Sequence, residues 1–158
     1  MQGAVLFGIK SDIINIRKAK YTIGTSVAHI WNEKLHSQKG IKYYDIENQV
    51  YRCKNCFEKY IEIGQNLIFG QKIEKSFKML GSRRVNLGIY KSKKLNPLFV
   101  DEEGVELMGE YNLDTGKEYG LDERELIESM KFGGTFMDYE ATHLKSGEKI
   151  QKILEFND

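Results

Sequence analysis

Apolar and polar residues alternate with a period of two along much of the chain. Over residues 21–28, Tyr21, Ile23, Thr25 and Val27 alternate with residues that are smaller or more polar. Such alternation is typical of a β-strand that buries one of its faces. The same pattern predicts further strands over 72–79, 85–90, 105–113, 126–132, 135–144 and 149–156, and we place a shorter strand over 41–46.

Turn signals and spacing add two expectations about how these segments are connected. Gly81-Ser82 separates the strands over 72–79 and 85–90, and a turn at that place predicts a β-hairpin. Residues 57–63 fit either a helix or a strand, because their apolar residues recur at helical spacing whereas their aromatic content favours a strand. Periodicity alone leaves that segment open.

The composition favours sheet over helix. Isoleucine, valine, threonine and the aromatic residues together number 45, whereas alanine, the strongest helix former, occurs four times. Fifteen glycines and one proline suit many tight turns between strands. Because one sheet cannot cover both faces of so many alternating strands, we expect a mainly all-β fold, an antiparallel two-layer β-sandwich. Residues 9–20 mix isoleucines with basic residues and predict a linker ahead of it.

Length and charge limit the classes of partner. At 158 residues the chain has the size of one domain. Its 24 Lys and Arg against 23 Asp and Glu leave a net charge of +1, which gives no long-range attraction to nucleic acid or to an anionic membrane. We therefore expect no nucleic-acid partner and no membrane association. Two cysteines are too few for a disulfide scaffold, so we expect a cytoplasmic protein.

Cys53 and Cys56 form the one metal-like spacing in the sequence. A structural zinc site needs four ligands, usually from a second pair of residues. His29, His36 and His143 are unpaired and widely scattered along the sequence. Two ordinary thiols at the start of a strand are therefore the favoured interpretation, with zinc binding as the less favoured alternative. We expect no metal and no cofactor.

Catalytic motifs are missing from the sequence. It contains no Gly-x-Ser-x-Gly, no Walker-type glycine loop and no protein-kinase signature. The acidic runs over 101–103 and 122–125 are typical of solvated loops. We expect a binding module rather than an enzyme. A β-sandwich can bind by adding a strand at a sheet edge or by holding an apolar segment in a groove.

The ordered set of three segments resembles a known family. Residues 3–8, 21–27 and 61–67 are similar to the carboxyl-terminal part of the 70-kDa heat-shock chaperone family, in particular to an atypical branch without a helical lid. The resemblance covers nearly the whole chain. It implies that residues 1–20 are the remnant of the final ATPase-domain helix and the interdomain linker, and that residues 21–158 are the β-sandwich substrate-binding domain. It also implies that the ambiguous segment over 57–63 is a strand.

The resemblance further implies a peptide-binding groove. Carried over by position, the side chains nearest to a bound apolar residue are Thr25, Val27, Ala28, Phe77, Leu80, Val85 and Leu87. The same side chains could instead belong to the sandwich core. For Leu87, as for Ile23 and Ile89, the core is the favoured interpretation, whereas core and groove are about equally favoured for Val27, Phe77 and Val85.

Other features of the family shape the expected activity. Its ATP-binding residues lie in a domain that precedes this stretch, so the resemblance implies no bound ATP and no ATP hydrolysis here. A groove without a lid should release peptide quickly. The implied partners are extended hydrophobic peptide segments or client proteins, an ATPase domain, and a second copy paired through edge strands. The alternative is a structural protein–protein interaction sandwich with no open peptide groove.

Overall fold

The computed structural model describes residues 16–155, and within that range the alternating segments form eleven strands. The strands are β1 (Ile16–Lys18), β2 (Thr22–Ile30), β3 (Ile41–Asp45), β4 (Val50–Ile61), β5 (Asn66–Ile68), β6 (Lys72–Lys78), β7 (Arg84–Ser92), β8 (Val105–Asp114), β9 (Glu125–Gly133), β10 (Phe136–His143) and β11 (Lys149–Glu155). A one-turn helix, α1 (Glu33–His36), follows β2, and a 3₁₀ turn (Leu121–Glu123) precedes β9.

Two antiparallel sheets pack face to face. The five-stranded sheet has the order β3-β4-β2-β7-β8, and the four-stranded sheet has the order β11-β10-β9-β6. A short ladder joins β1 to β5. Every ladder among the described strands is antiparallel. The expected all-β antiparallel sandwich is therefore confirmed.

The main core lies between the facing sides of the two sheets. Leu126 and Met130 of the four-stranded sheet are fully buried there. Ile23, Leu87 and Ile89 of the five-stranded sheet belong to the same cluster. The three residues for which a core position was favoured therefore are core residues, because alternation along β2 and β7 turns them toward the other sheet.

The prediction of a hairpin between 72–79 and 85–90 is wrong. Both segments form strands, but β6 pairs with β9, whereas β7 pairs with β2 and β8. The connection crosses from one sheet to the other, and the Met79 N–H donates to the Arg124 carbonyl at 2.9 Å on the way. A turn signal predicts that the chain changes direction but does not specify which strand the next segment will pair with.

Strand β4 begins earlier than expected. It starts at Val50, so Cys53 and Cys56 lie inside the strand and not at its start. Asn55 has a left-handed backbone with φ of 59°, and the pairing with β2 shifts register nearby. The segment over 57–63 is a strand as far as Ile61, as the resemblance implied.

The amino-terminal segment is described only from residue 16. Residues 1–15, with most of the predicted ATPase-helix remnant and linker, lie outside the described residues. Residues 16–18 form β1, whose Ile16 pairs with Ile68, and Ala19 is buried in the core. The described sheet structure therefore starts ahead of residue 21. Between residues 16 and 155 there is no helix with the length and apolar character needed to cross a membrane.

Candidate functional site

Strands β2 and β7 separate before either strand ends. They pair from Thr22 opposite Ser92 to Thr25 opposite Ile89. Beyond this point β2 continues to Ile30 beside β4, and β7 extends in the opposite direction along the chain beside β8. In the ladders that the structure describes, residues 26–28 of β2 and 84–88 of β7 no longer pair with each other. The five-stranded sheet is therefore open at this end.

A cavity of about 480 Å³ occupies the opening. Residues 26–28 line it on one side and residues 84–86 on the other, and the end of β6 faces it from the second sheet. Its apolar and aromatic lining residues are Val27, Ala28, Tyr43, Phe77, Met79, Leu80, Val85 and Leu121. The cavity thus combines two strand edges with a surface suited to apolar side chains.

Most of the predicted groove residues line this cavity. They are Val27, Ala28, Phe77, Leu80 and Val85. The other two lie in the core: Thr25 is in the last pair of the β2–β7 ladder, and Leu87 lies just beyond that pair but is buried between the sheets. Thr25 is 3% exposed and lies beside the buried Glu128, and Leu87 is 4% exposed within the main core. The structure thus brings five of the seven together and separates Thr25 and Leu87 from them.

The charged side chains of the described lining are all cationic, a feature that the sequence interpretation missed. Arg52, Lys54, Lys78 and Arg84 contribute to it, and among the described residues no carboxylate does. Arg84 is paired outside the lining, with its Nε 3.1 Å from Asp114 Oδ2. These residues come from three different strands and carry no local signal, so only the tertiary structure groups them.

Arg52 connects three strands beside the cavity. Its Nε donates to Asp45 Oδ2 of β3 at 2.7 Å, and its Nη1 donates to the Ala28 carbonyl of β2 at 3.3 Å. The hydrogen bond from Arg52 holds the pKa of the Asp45 carboxyl below its usual value. Since these side chains are only 18% and 11% exposed, the pair fixes the wall of the cavity.

A buried carboxyl group joins the sheets on the closed side. Glu128 of β9 is fully buried and accepts a hydrogen bond from Tyr60 Oη of β4 at 2.5 Å and another from Tyr139 Oη of β10. Burial raises the pKa of Glu128, although both hydroxyl groups stabilise its ionised form. Because Tyr60 belongs to the five-stranded sheet, its bond to Glu128 connects the two layers.

The histidines are not as scattered as the sequence suggested. One ligand atom each of His29, His36 and Cys56 lie within 4.8 Å of one another, whereas His143 is bonded elsewhere, to the Glu123 carbonyl. The sequence carried one signal for this arrangement, the N-cap residue Asn32, whose side chain accepts from two backbone N–H groups and starts the helix that carries His36. Only the fold places that helix against β4.

The Cys–His contact is not suited to nucleophilic catalysis. Cys56 Sγ lies 3.8 Å from His36 Nε2, but Cys56 is 1% exposed. Burial raises the pKa of the Cys56 thiol to about 12 and lowers the pKa of His36. Because the thiolate is the reactive form of cysteine, a buried neutral thiol of this kind is inert toward substrates.

Comparison with known proteins identifies distant relatives. No protein-family model matches the chain. It is 24% identical over 161 residues to heat shock 70 kDa protein 12A of Mus musculus and of Homo sapiens, and each alignment covers 99% of this chain and 23% of that protein. It is 23% identical over 166 residues to heat shock 70 kDa protein 12B of Homo sapiens, covering 99% of this chain and 24% of that protein. The chain is thus distantly related to 70-kDa heat-shock proteins and spans about a quarter of the length of these curated relatives.

Proposed function

We propose that this chain is a peptide-binding module of a protein related to the 70-kDa heat-shock proteins. It holds extended hydrophobic segments of unfolded or client proteins in the opening between β2 and β7. The observation that carries the proposal is the end of the β2–β7 ladder at Thr25 and Ile89, beyond which both strands continue on either side of a partly apolar cavity. The distant relationship to heat-shock proteins supports a chaperone-related role.

The geometry suits an extended peptide for two reasons. The separated edges at 26–28 and 84–86 can hydrogen-bond to the backbone of an added strand, which supplies affinity without regard to sequence. The apolar surface around Val27, Phe77 and Val85 accepts a side chain of the size of leucine or isoleucine, which supplies preference.

The cationic lining adds a preference in the residues that flank the apolar side chain. Because Arg52 and Arg84 already pair with Asp45 and Asp114, the preference rests on Lys54 and Lys78. With no carboxylate among the described lining residues, acidic or neutral flanks suit the cavity better than basic flanks. The proposal assigns no cofactor and no catalytic step to this chain, so ATP would act only through a separate ATPase domain. Two free, buried cysteines fit a reducing compartment, and we propose the cytoplasm.

A titration with a fluorescent, leucine-centred heptapeptide tests the proposal. Anisotropy should rise to saturation with the wild-type chain, and Val85→Phe should abolish binding because the larger ring fills the cavity. Val105→Phe is the matched control, since Val105 is a half-buried valine of β8 outside the cavity lining. A glutamate-flanked peptide should bind more tightly than a lysine-flanked one, and the difference should shrink in high salt.

A flat titration with every peptide would contradict the proposal and favour the alternative, a structural interaction module with no open peptide groove. The expected pairing of two copies through an edge strand stays a prediction. Among the described strands, β11 is an edge of the four-stranded sheet and carries Ile153 at 69% exposure.

A further inference from the structure

We propose that His29, His36 and Cys56, with Cys53 as the fourth ligand, form a Zn²⁺-binding site next to the cavity. One ligand atom from each of His29, His36 and Cys56 lies within 4.8 Å of the others, and the distance from Cys56 Sγ to His36 Nε2 is 3.8 Å. In a tetrahedral zinc site with sulfur and nitrogen ligands, neighbouring ligand atoms lie roughly 3.6 Å apart. Small side-chain movements therefore bring His29, His36 and Cys56 to coordination distance, and Cys53 is assigned as the fourth ligand because its thiol lies in the same buried cluster.

The irregular backbone of β4 lets both thiols reach the same place. In a regular strand, residues three positions apart point to opposite faces. Cys53 and Cys56 are instead both fully buried in one small cluster, and Cys56 Sγ lies 3.4 Å from the Cys53 carbonyl oxygen. The left-handed residue between them, Asn55, breaks the alternation. Shared coordination of one cation by both thiols would account for this distortion of β4.

Gly40 allows the chain to close over the cluster. A Cβ atom at this position would lie 2.8 Å from Cys53 Sγ and 2.9 Å from His36 Cβ, which no larger residue could tolerate without a shift. The segment that follows α1 therefore passes directly against Cys53 and His36. This contact places the Cys53 thiol beside the helix that carries the His36 ligand.

His29 already has the partner that a metal-binding histidine needs. Its Nε2 lies 2.8 Å from Glu58 Oε1, so a proton on Nε2 donates to the carboxylate and leaves the other ring nitrogen with its lone pair. Metal-binding histidines commonly donate their second ring N–H to a carboxylate in this way. Glu58 is held in turn by Lys75 Nζ of the other sheet, 2.6 Å away.

His36 changes its tautomer and loses one hydrogen bond when it coordinates the cation. Its Nδ1 accepts from the Asn32 N–H at 2.9 Å, which places the ring proton on Nε2, facing Cys56. Coordination through Nε2 moves that proton to Nδ1 and ends the bond to Asn32. The Asn32 side chain still caps α1, so the helix stays in place. The Asn32 amide signal therefore reports directly on metal binding.

The surroundings favour a closed structural site for a soft cation. The rings of Trp31 and Phe99 lie 5.3 and 6.0 Å from the His36 ring, centroid to centroid, and cover the buried His36 side of the cluster, whereas His29 is 41% exposed. Sulfur and imidazole ligands select Zn²⁺ over Mg²⁺ or Ca²⁺, which prefer oxygen, and a bound Zn²⁺ deprotonates the coordinating thiols. The cation would fix the part of β4 that presents Lys54 and Asn55 to the cavity.

The test measures metal binding by the full 158-residue chain in reducing buffer without peptide. The purified protein should carry one zinc per chain by elemental analysis. After removal of zinc, Co²⁺ should give the visible spectrum of a tetrahedral site with a thiolate-to-cobalt charge-transfer band, and Zn²⁺ should displace it. Cys56→Ser and His36→Ala should weaken Co²⁺ binding by roughly 100-fold or more, because each removes a ligand.

Matched variants separate coordination from folding. Glu58→Gln, at a positioning residue, should weaken binding by about 10- to 100-fold, whereas Glu62→Gln, whose carboxylate pairs with Lys59 away from the cluster, should bind like the wild type. Asn55→Gly keeps all four ligands and tolerates a positive φ, so it should also bind normally. Wild-type protein that retains no zinc and shows only an octahedral cobalt spectrum would overturn the proposal, as would a folded Cys56→Ser variant with unchanged affinity. The wild-type spectrum decides the matter even if a variant does not fold.

Discussion

The space between the two sheets is closed on one side of Thr25 and open on the other, although similar residues face it on both sides. Leu126 and Phe77 are direct cross-strand partners in β9 and β6, so their side chains share one face of the four-stranded sheet. Leu126 is fully buried, whereas Phe77 is partly buried and lines the cavity. Leu126 lies on β9, which has a neighbouring strand on both sides, whereas Phe77 lies on the edge strand β6, whose end faces the opening between β2 and β7.

Residues on the closed side hold the fold together, whereas residues on the open side are available for binding. On the closed side, apolar contacts and the Tyr60–Glu128 bond join the layers. On the open side, a largely buried ion pair between Arg52 and Asp45 fixes the wall while apolar groups remain accessible. The two sides should therefore respond differently to the same kind of substitution.

Truncation of the cross-strand pair should give the largest difference. Leu126→Ala leaves a cavity in a fully buried position and should lower the free energy of unfolding by roughly 2–5 kcal/mol. Phe77→Ala should lower the free energy of unfolding by only about 1–2 kcal/mol, because part of its ring is already exposed to the cavity. The same variant should weaken binding of the heptapeptide. Urea denaturation and the peptide titration measure the two effects. Equal losses of stability would contradict the distinction between closed and open sides.

Removal of a hydroxyl group from the closed side should have the next largest effect. Tyr60→Phe deletes one of the two donors to the buried Glu128 carboxyl and should cost about 1–3 kcal/mol in unfolding free energy, the range for a buried acceptor that loses its donor. Tyr51→Phe is the matched control, because Tyr51 is 54% exposed and should change stability by less than about 0.5 kcal/mol. A Tyr60→Phe variant as stable as the control would show that this bond does not hold the layers together.

The sequence predicts the strands of this fold better than their partners. Alternation is a local property, so it located the strand that contains Phe77 and the strand that contains Val85. Their pairing depends on contacts with β9 and β2, far away in the chain, and the turn at Gly81 carries no information about those contacts. That is why the segments were predicted correctly and the hairpin between them was not.

The two candidate sites were predictable to different degrees. Family resemblance located Val27 and Val85 at the cavity because it carries over positions in a whole fold, which periodicity cannot do. The same transfer included Thr25, which lies in the last pair of the β2–β7 ladder and is buried. It also included Leu87, for which the core was the favoured interpretation and which the structure buries between the sheets. The approach of His36 to Cys56 was missed because it requires a capped helical turn and a left-handed residue inside β4.

The smallest of the three effects concerns the wall of the open side and its response to acid. Asp45→Asn keeps the shape of the side chain but replaces a charge-assisted hydrogen bond from Arg52 with a neutral one, so it should cost about 1 kcal/mol at neutral pH. Because the folded-state pKa of Asp45 lies below its ordinary value of 3.8, the contribution of the ionised carboxyl is complete above that pH and is lost as the pH falls through the folded-state pKa. Urea denaturation of both proteins between neutral and acidic pH should therefore show their stabilities converging in acid. A constant difference at every pH would mean that the charge of Asp45 does not stabilise this wall.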